Sequence, residues 1–419
     1  MVKLLNGIKT PFYNYFYLFC IIIYAGSATE FTRSLGNPLA LGNFVAIILT
    51  IIFCVINRVR FQKSYWLSLL VFTTYAVATF INNGLISPMW LTQWYIWLTI
   101  AYIICHVFKH TFLIAYESII YKLSVIGLVI WGLYILYPSA MLSLAKSIHF
   151  SNTYHEAIDT FNIIVYTFLP DRNNDFVLLE RNCGFAWEPG AYSCFLCLAI
   201  FCNILRTKMK FKKNTSLIVL LMALLTTQST TGYIIFIVMM LLWILSTKKK
   251  YFAFILIPLL VILFQLPFVQ DKLLEEFNNI ETINLNNYDD NESHSLGRLM
   301  SFQLDFEEFL RHPILGLGGY TQGTWLYQQG YDNIATISGI GKLLSRFGGI
   351  MTIVFLILLG KSARLFAKRY HSMNGYIILI VILGSMISYD LWRTPCFICF
   401  WICGIYTHTD KRQYINEKI

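Results

Sequence analysis

The chain has 419 residues, of which 57% are apolar, 16% aromatic and only 13% charged, with a mean hydropathy of +0.60. A soluble domain carries about a quarter charged residues, so the chain has too little polar surface for a water-soluble multidomain enzyme. The net charge of +10 is spread in a way that assigns it to membrane orientation and excludes nucleic acid as a partner.

Apolar runs long enough to cross a bilayer recur from end to end. Read in chain order, they predict an all-α polytopic membrane protein with about twelve transmembrane helices. The spans lie near Phe12–Ser27, Leu39–Ile56, Tyr65–Ile81, Pro88–Phe108, Ser118–Tyr137, Pro189–Leu205, Ser216–Thr227, Gly232–Leu245, Phe252–Phe268, Phe347–Gly360, Tyr376–Tyr389 and Pro395–Tyr406. The expected organisation is helices one to five over 1–137, a first large extracytoplasmic loop over 138–188 and helices six to nine over 189–268. A second large loop then occupies 269–346, and helices ten to twelve with a cytoplasmic tail occupy 347–419. Both loops are expected to carry short amphipathic helices. Lys3 and Lys9 before the first apolar run resemble a signal peptide, but eleven further crossings favour an uncleaved first helix.

With the N-terminus in the cytoplasm, 21 of the 32 lysines and arginines fall on one face, together with only Glu117, Asp410 and Glu417 of the acids. Positive residues held in the cytoplasm set orientation, so both termini are placed inside. The segment Ser216–Leu245 has basic clusters at both ends, Arg206 to Lys213 and Lys248 to Lys250. It must therefore go out and return as two short helices with a polar tip, Thr226 to Gly232, which is either the floor of a site or a plain turn. The cysteines, including the Cys194/Cys197 and Cys396/Cys399 pairs, read as packing residues. Cys183, in an outer loop, lacks an outer partner for a disulfide.

Connecting segments as long as the two large loops carry function more often than mere connection. The first ends in Glu180-Arg181-Asn182-Cys183-Gly184-Phe185-Ala186-Trp187-Glu188-Pro189-Gly190. Pro189 suits the first helical position, and Glu188 meets the positive end of the helix dipole. Glu188 is then either a poised carboxylate or only a cap.

In the second loop Leu299, Phe302, Phe306, Phe309 and Leu310 form an apolar stripe with helical spacing after Arg298, and Pro313 ends it. Such a helix lies on the membrane or over the bundle. Arg311 follows Glu307 by four residues and reads first as an ordinary ion pair, so Arg298 ranks above it as a ligand-binding residue. Ile314-Leu315-Gly316-Leu317-Gly318-Gly319-Tyr320 is a compact turn without the ending of a nucleotide phosphate loop.

Lys342 and Arg346, one turn apart, either face a shared anion or anchor their helix at the headgroups. Asp390 and Arg393 read as a structural ion pair. Asp289-Asp290-Asn291-Glu292 has the oxygen ligands of a cation site, but acidic loop residues usually face water, and neither metal nor cofactor is expected.

A bundle of this size, a Trp-Glu-Pro-Gly segment opening a mid-chain helix and an Arg…His-Pro-Ile-Leu-Gly-Leu-Gly loop together resemble the bacterial O-antigen and capsule polymerases of the Wzy type, relatives of the O-antigen ligases. The resemblance covers roughly Arg181 to Gly349. Ser229-Thr230-Thr231-Gly232 stands where relatives often carry Ser-Arg-x-Gly, and Ser338 to Arg346 lacks the histidine of the ligase branch, which favours polymerase.

The resemblance implies a fold of the GT-C membrane glycosyltransferase kind and a place in the bacterial inner membrane. It implies inverting transfer of glycan from undecaprenyl diphosphate to the next lipid-linked repeat unit, with a chain-length regulator protein as a partner. In that chemistry Arg181 and Arg298 would hold the diphosphate and Glu188 would orient or deprotonate the acceptor. Arg311, His312, Lys342, Arg346 and Tyr320 would bind substrate. The alternatives are a ligase acting on another acceptor and a flippase of the same lipid-linked sugars. The few mid-membrane charges and the absence of an apparent internal repeat speak against the flippase.

Overall fold

The computed structural model describes residues 11–27, 41–150, 160–170, 180–209, 213–246, 294–331 and 334–407. The expected ninth span and the Asp289 to Glu292 run lie outside the described residues. In chain order the helices are α1 (Phe12–Gly26), α2 (Leu41–Ile56), α3 (Lys63–Asn83), α4 (Pro88–Phe108), α5 (Phe112–Leu136), α6 (Pro138–Ile148) and α7 (Pro189–Thr207). There follow α8 (Thr215–Thr226), α9 (Thr230–Leu245), α10 (Arg298–Arg311), α11 (Trp325–Gln328), α12 (Gly339–Arg369), α13 (Ile377–Ser388) and α14 (Pro395–Tyr406). Two-residue strands are β1 (Phe161–Asn162), β2 (Thr167–Phe168), β3 (His294–Ser295) and β4 (Ile334–Ala335).

The protein is an all-α polytopic membrane protein. Four helical runs are long and apolar enough to cross a bilayer, Lys63–Asn83, Pro88–Leu136, Pro189–Thr207 and Gly339–Arg369, and shorter apolar helices accompany them. Proline opens α6, α7 and α14, where its missing N–H costs nothing. The tenth span, expected from Phe347, does begin at a kink at Gly348, and a further helical stretch from Gly339 precedes it, capped by Ser338, which accepts from the Gly341 N–H at 3.1 Å.

The chain forms two compact units. In the first, α7 is the central element, and every residue from Pro189 to Leu205 is buried. It packs against α5 and α8, while α1 packs on α2 and α5. The antiparallel β1–β2 pair closes over Tyr134, Ala145, Tyr166 and Phe168 below α6. At the Arg206 end of α7, Glu117 accepts from Arg206 Nη2 at 2.6 Å and Nε at 3.0 Å, from Asn203 at 2.6 Å and from Ser216 at 3.1 Å.

In the second unit α12 packs against α10, α13 and α14, and α9 packs against α13. Behind α12 a set of rings, Phe72, Trp90, Trp94, Phe347 and Trp392, is in mutual contact at 4.8–6.1 Å between centroids. The ten cysteines are all unbridged and eight are buried, as packing residues would be.

Candidate functional site

In the first unit the segment Asn182–Trp187 is buried, and Arg181 and Glu188 on either side of it are half-buried. The segment is pinned by backbone and side-chain bonds to the polar tip that follows α8. Asn182 N donates to Thr226 O at 3.0 Å, Asn182 Nδ2 to Thr226 Oγ1 at 2.9 Å, and Arg181 Nε to Thr227 O at 3.2 Å. The Thr226 to Ser229 tip therefore supports the Arg181 segment. Gly184 must be glycine, since its φ is +51° and a Cβ there would meet the Tyr192 ring. Glu188 occupies the N-cap position of α7, but its side chain makes no capping bond. Its carboxylate is not spent on holding the helix, contrary to the plain capping role.

In the second unit the site is built around the break in α12. Regular dihedrals fail at Gly348 (φ 65°, ψ −175°). A broken helix leaves carbonyls unpaired, and the glycine-rich turn takes them up. Leu317 N donates to Ser345 O and Gly318 N to Arg346 O, each at 2.9 Å, while Gly349 N donates to Pro313 O at 2.7 Å. Gly316 (φ +65°) has no room for a side chain, because a Cβ would sit 2.6 Å from Gly348 N. The amides of this turn are thus consumed by backbone, and an anion has no claim on those of Leu317 and Gly318. What the turn does is fix the first two turns of α12, which carry Lys342 and Arg346.

Lys342 and Arg346 face a cavity of about 440 Å³ whose walls are Tyr320, Trp325, Tyr327 and Tyr331, with Asp305, Thr336 and Ser345 among its other residues. Asp390 lies 2.8 Å from Arg393 Nε and 3.9 Å from Lys342 Nζ. The expected Asp390–Arg393 pair is present, and Lys342 joins it. Arg298 opens α10, donates from Nη2 to Tyr389 OH at 3.3 Å and lies over that ring, so it abuts the same turn.

Arg311 pairs with Glu308, at 3.9 Å, and not with Glu307, and it lies over the Trp325 ring. Glu307 instead accepts weakly from Gln303 at 3.5 Å. The reason is the orientation of α10. It buries Met300, Ser301, Asp305 and Glu308 and exposes Leu299, Phe306 and Leu310. The apolar stripe points outward, away from the packed side, so Glu308 is turned in toward the Trp325 loop and Glu307 out. His312 Nε2 is 3.8 Å from Glu308.

Sequence reasoning missed Asp305. Burial pushes its carboxyl up to about 7, against the pull of Lys342 and Arg346 and the Thr336 hydrogen bond, with Asp390 adding to the rise. The signal was present: Ser301, Asp305 and Glu308 share one face at i, i+4 and i+7.

Beside the cations runs an apolar groove of about 240 Å³, lined by Leu67, Val71, Phe72, Leu343, Phe347 and Met351 among others, with Ser64 and Lys361 also on its wall. Leu343 and Lys361, both on its wall, lie on α12 on either side of the break at Gly348.

Residues 215–342 match the Wzy_C family model, described as O-antigen ligase. Over that stretch, under a third of the chain, the sequence is similar to the O-antigen ligase family. The matched stretch includes α8, α9, α10, the glycine-rich turn and the start of α12 up to Lys342. This supports membrane glycosyl transfer of the ligase or polymerase type from lipid-linked oligosaccharide, and leaves the choice between the two open. Comparison with curated proteins and with solved structures gave no match.

Proposed function

We propose that the protein is a polymerase that joins undecaprenyl-diphosphate-linked repeat units into O-antigen or capsular polysaccharide at the outer face of the bacterial cytoplasmic membrane. The observation that carries this reading is the cavity of the second unit, where Lys342 and Arg346 stand among aromatic walls beside an apolar groove. A departing lipid diphosphate gains charge as the glycosidic bond breaks, and positioned cations in a partly dry cleft stabilise that charge more than it is stabilised in water. Guanidinium also makes parallel bonds to phosphate oxygens. Lys342 and Arg346 hold the diphosphate, the polyprenyl chain lies along the Leu343–Met351 groove, and Tyr320, Trp325 and Tyr327 stack on sugar rings. Arg298 orders the Tyr389–Asp390 turn behind them. Arg311 and His312 hold Glu308 at the rim. Arg181 and Glu188 of the first unit keep the substrate-binding roles that the family resemblance implies for them.

A second reading, ligase, is favoured by the description of the matched family. The polymerase reading rests on the missing histidine between Ser338 and Arg346. A deletion strain separates them by the gel pattern of its surface polysaccharide. Loss of the polymer ladder with a single repeat unit retained on the lipid core supports polymerase. Loss of that unit as well removes it and supports transfer to a different acceptor, or flipping. In the same strain Arg181→Ala and Arg298→Ala are each expected to abolish the ladder at normal protein level.

A further inference from the structure

We propose that Asp305 is the base that takes the proton from the acceptor sugar hydroxyl, because it lines the aromatic-walled cavity beside Lys342 and Arg346 with one buried carboxylate oxygen left unpartnered. The assignment rests on the glycosyl-transfer reading above.

Two carboxylates line the cavity, and their hydrogen bonds differ. Glu308 Oε2 accepts from the Trp325 N–H at 2.8 Å, and its two oxygens lie near Arg311 and His312. It is occupied in holding the cavity wall. Asp305 is 8% exposed, its Oδ1 accepts from Thr336 Oγ1 at 3.0 Å, and its Oδ2 has no hydrogen-bond partner among the described residues. An unsatisfied buried carboxylate oxygen is costly where only packing is at stake. The fold nevertheless makes room for this one. Gly341 faces it, and a Cβ at that position would stand 2.6 Å from Asp305 Cβ and 2.7 Å from Oδ2.

The chemistry balances. The acceptor O–H gives its proton to Asp305 Oδ2, and the oxygen electron pair forms the bond to the anomeric carbon. The anomeric C–O bond to the lipid diphosphate breaks, its electron pair leaving on the diphosphate, whose charge Lys342 and Arg346 hold. The proton then passes from Asp305 to water.

The charged groups about Asp305 are Lys342 and Arg346 on α12, Asp390 and Arg393 on the turn before α14, and Glu308 on its own helix. With the carboxyl titrating at about 7, it is ionised often enough to accept a proton and basic enough to hold it, the compromise that general-base catalysis favours. A bound diphosphate offsets the pull of Lys342 and Arg346, so loading the donor strengthens the base.

The experiment uses the full-length protein in lipid nanodiscs with undecaprenyl-diphosphate-linked repeat units, measuring glycosidic bond formation from pH 5 to 9 and, separately, binding of undecaprenyl diphosphate. The wild type is expected to lose rate as pH falls through about 7. Asp305→Asn should lower the rate roughly 100-fold or more and flatten that limb while still binding undecaprenyl diphosphate. Thr336→Val removes the bond that favours the ionised carboxylate, so it should move the limb to higher pH. Asp305→Asn with the wild-type rate and limb overturns the assignment and leaves glycosyl transfer standing. Failure of Asp305→Asn to bind the diphosphate, or an unmoved limb in Thr336→Val, also overturns it. A wild type that forms no glycosidic bond from this donor removes the glycosyl-transfer reading, and the assignment falls with it.

Discussion

Each unit of this apolar chain gathers a group of charged and polar side chains, and the two groups are satisfied to different degrees. In the first unit Glu117, Asn203, Arg206, Asn214 and Ser216 use one another up: both Glu117 oxygens accept, Asn203 and Asn214 exchange amide bonds at 2.8 and 3.1 Å, and Asn214 also caps α8 through Leu217 N. In the second unit Asp305 Oδ2 and both Asp390 oxygens lack a hydrogen-bond donor among the described residues, although cations stand near Asp390. A closed network is a staple that fixes helix ends. A network with capacity left over is organised for something that arrives from outside.

The comparison can be broken in five ways. Arg346→Ala should lower glycosyl transfer roughly 100- to 1000-fold, the loss that follows removal of one donor to developing charge, with the melting temperature little changed. Wild-type rates in that variant would deprive the second group of its role.

Glu117→Ala should act on stability instead. It strands buried Asn203 and the partly exposed Arg206, and a loss of about 3 kcal/mol is expected as a lower melting temperature in detergent. In Asp305→Asn the sign is opposite above neutral pH. A carboxyl whose pKa is raised by folding supplies stability below its unfolded value of 3.8, and that stability is lost as pH rises through about 7. At pH 8 the asparagine variant should therefore melt no lower than the wild type.

Gly341→Ala pushes a methyl group against Asp305 and should cost about 1–3 kcal/mol, with a rate loss from the displaced α10. Arg311→Ala is expected to have the smallest effect. Its side chain is 43% exposed and 3.9 Å from Glu308, so removing the pair should cost about 0.5 kcal/mol and leave most of the activity. A large loss there would move the anion site toward the rim.

Much of the fold was legible from apolar runs. Pro88–Phe108 has the expected ends, and α1, α2, α7, α13 and α14 begin or end within a few residues of expectation, because a bilayer-length apolar stretch leaves the backbone little choice but helix. The start of α12 was not legible: Gly339-Ile340-Gly341-Lys342 is not apolar enough to read as a span, and its helicity depends on the Ser338 cap and the glycine-rich turn, contacts made with distant chain.

Lys342 and Arg346 were visible as a pair one turn apart, yet their surroundings were not. Asp305 was hidden by a sound rule applied to the wrong solvent. The aromatic stripe of α10 marks the inward face in a soluble protein, whereas here Phe306 and Leu310 face out and Asp305 and Glu308 face in. The Pro313 to Gly319 turn was recognised as compact, but that it feeds its amides to a broken helix requires knowing that Gly348 breaks it.

That break has a consequence for how such a protein can diversify. The stub of α12 ahead of Gly348 takes its aim from the Leu317 and Gly318 amides, whereas Tyr320, Trp325 and Tyr327 hang from the chain just past that clamp. Rings on that stretch can be exchanged, or residues inserted among them, while the cations keep their bearing. On the glycosyl-transfer reading proposed above, selectivity for the incoming glycan could thus change without retuning the grip on its carrier.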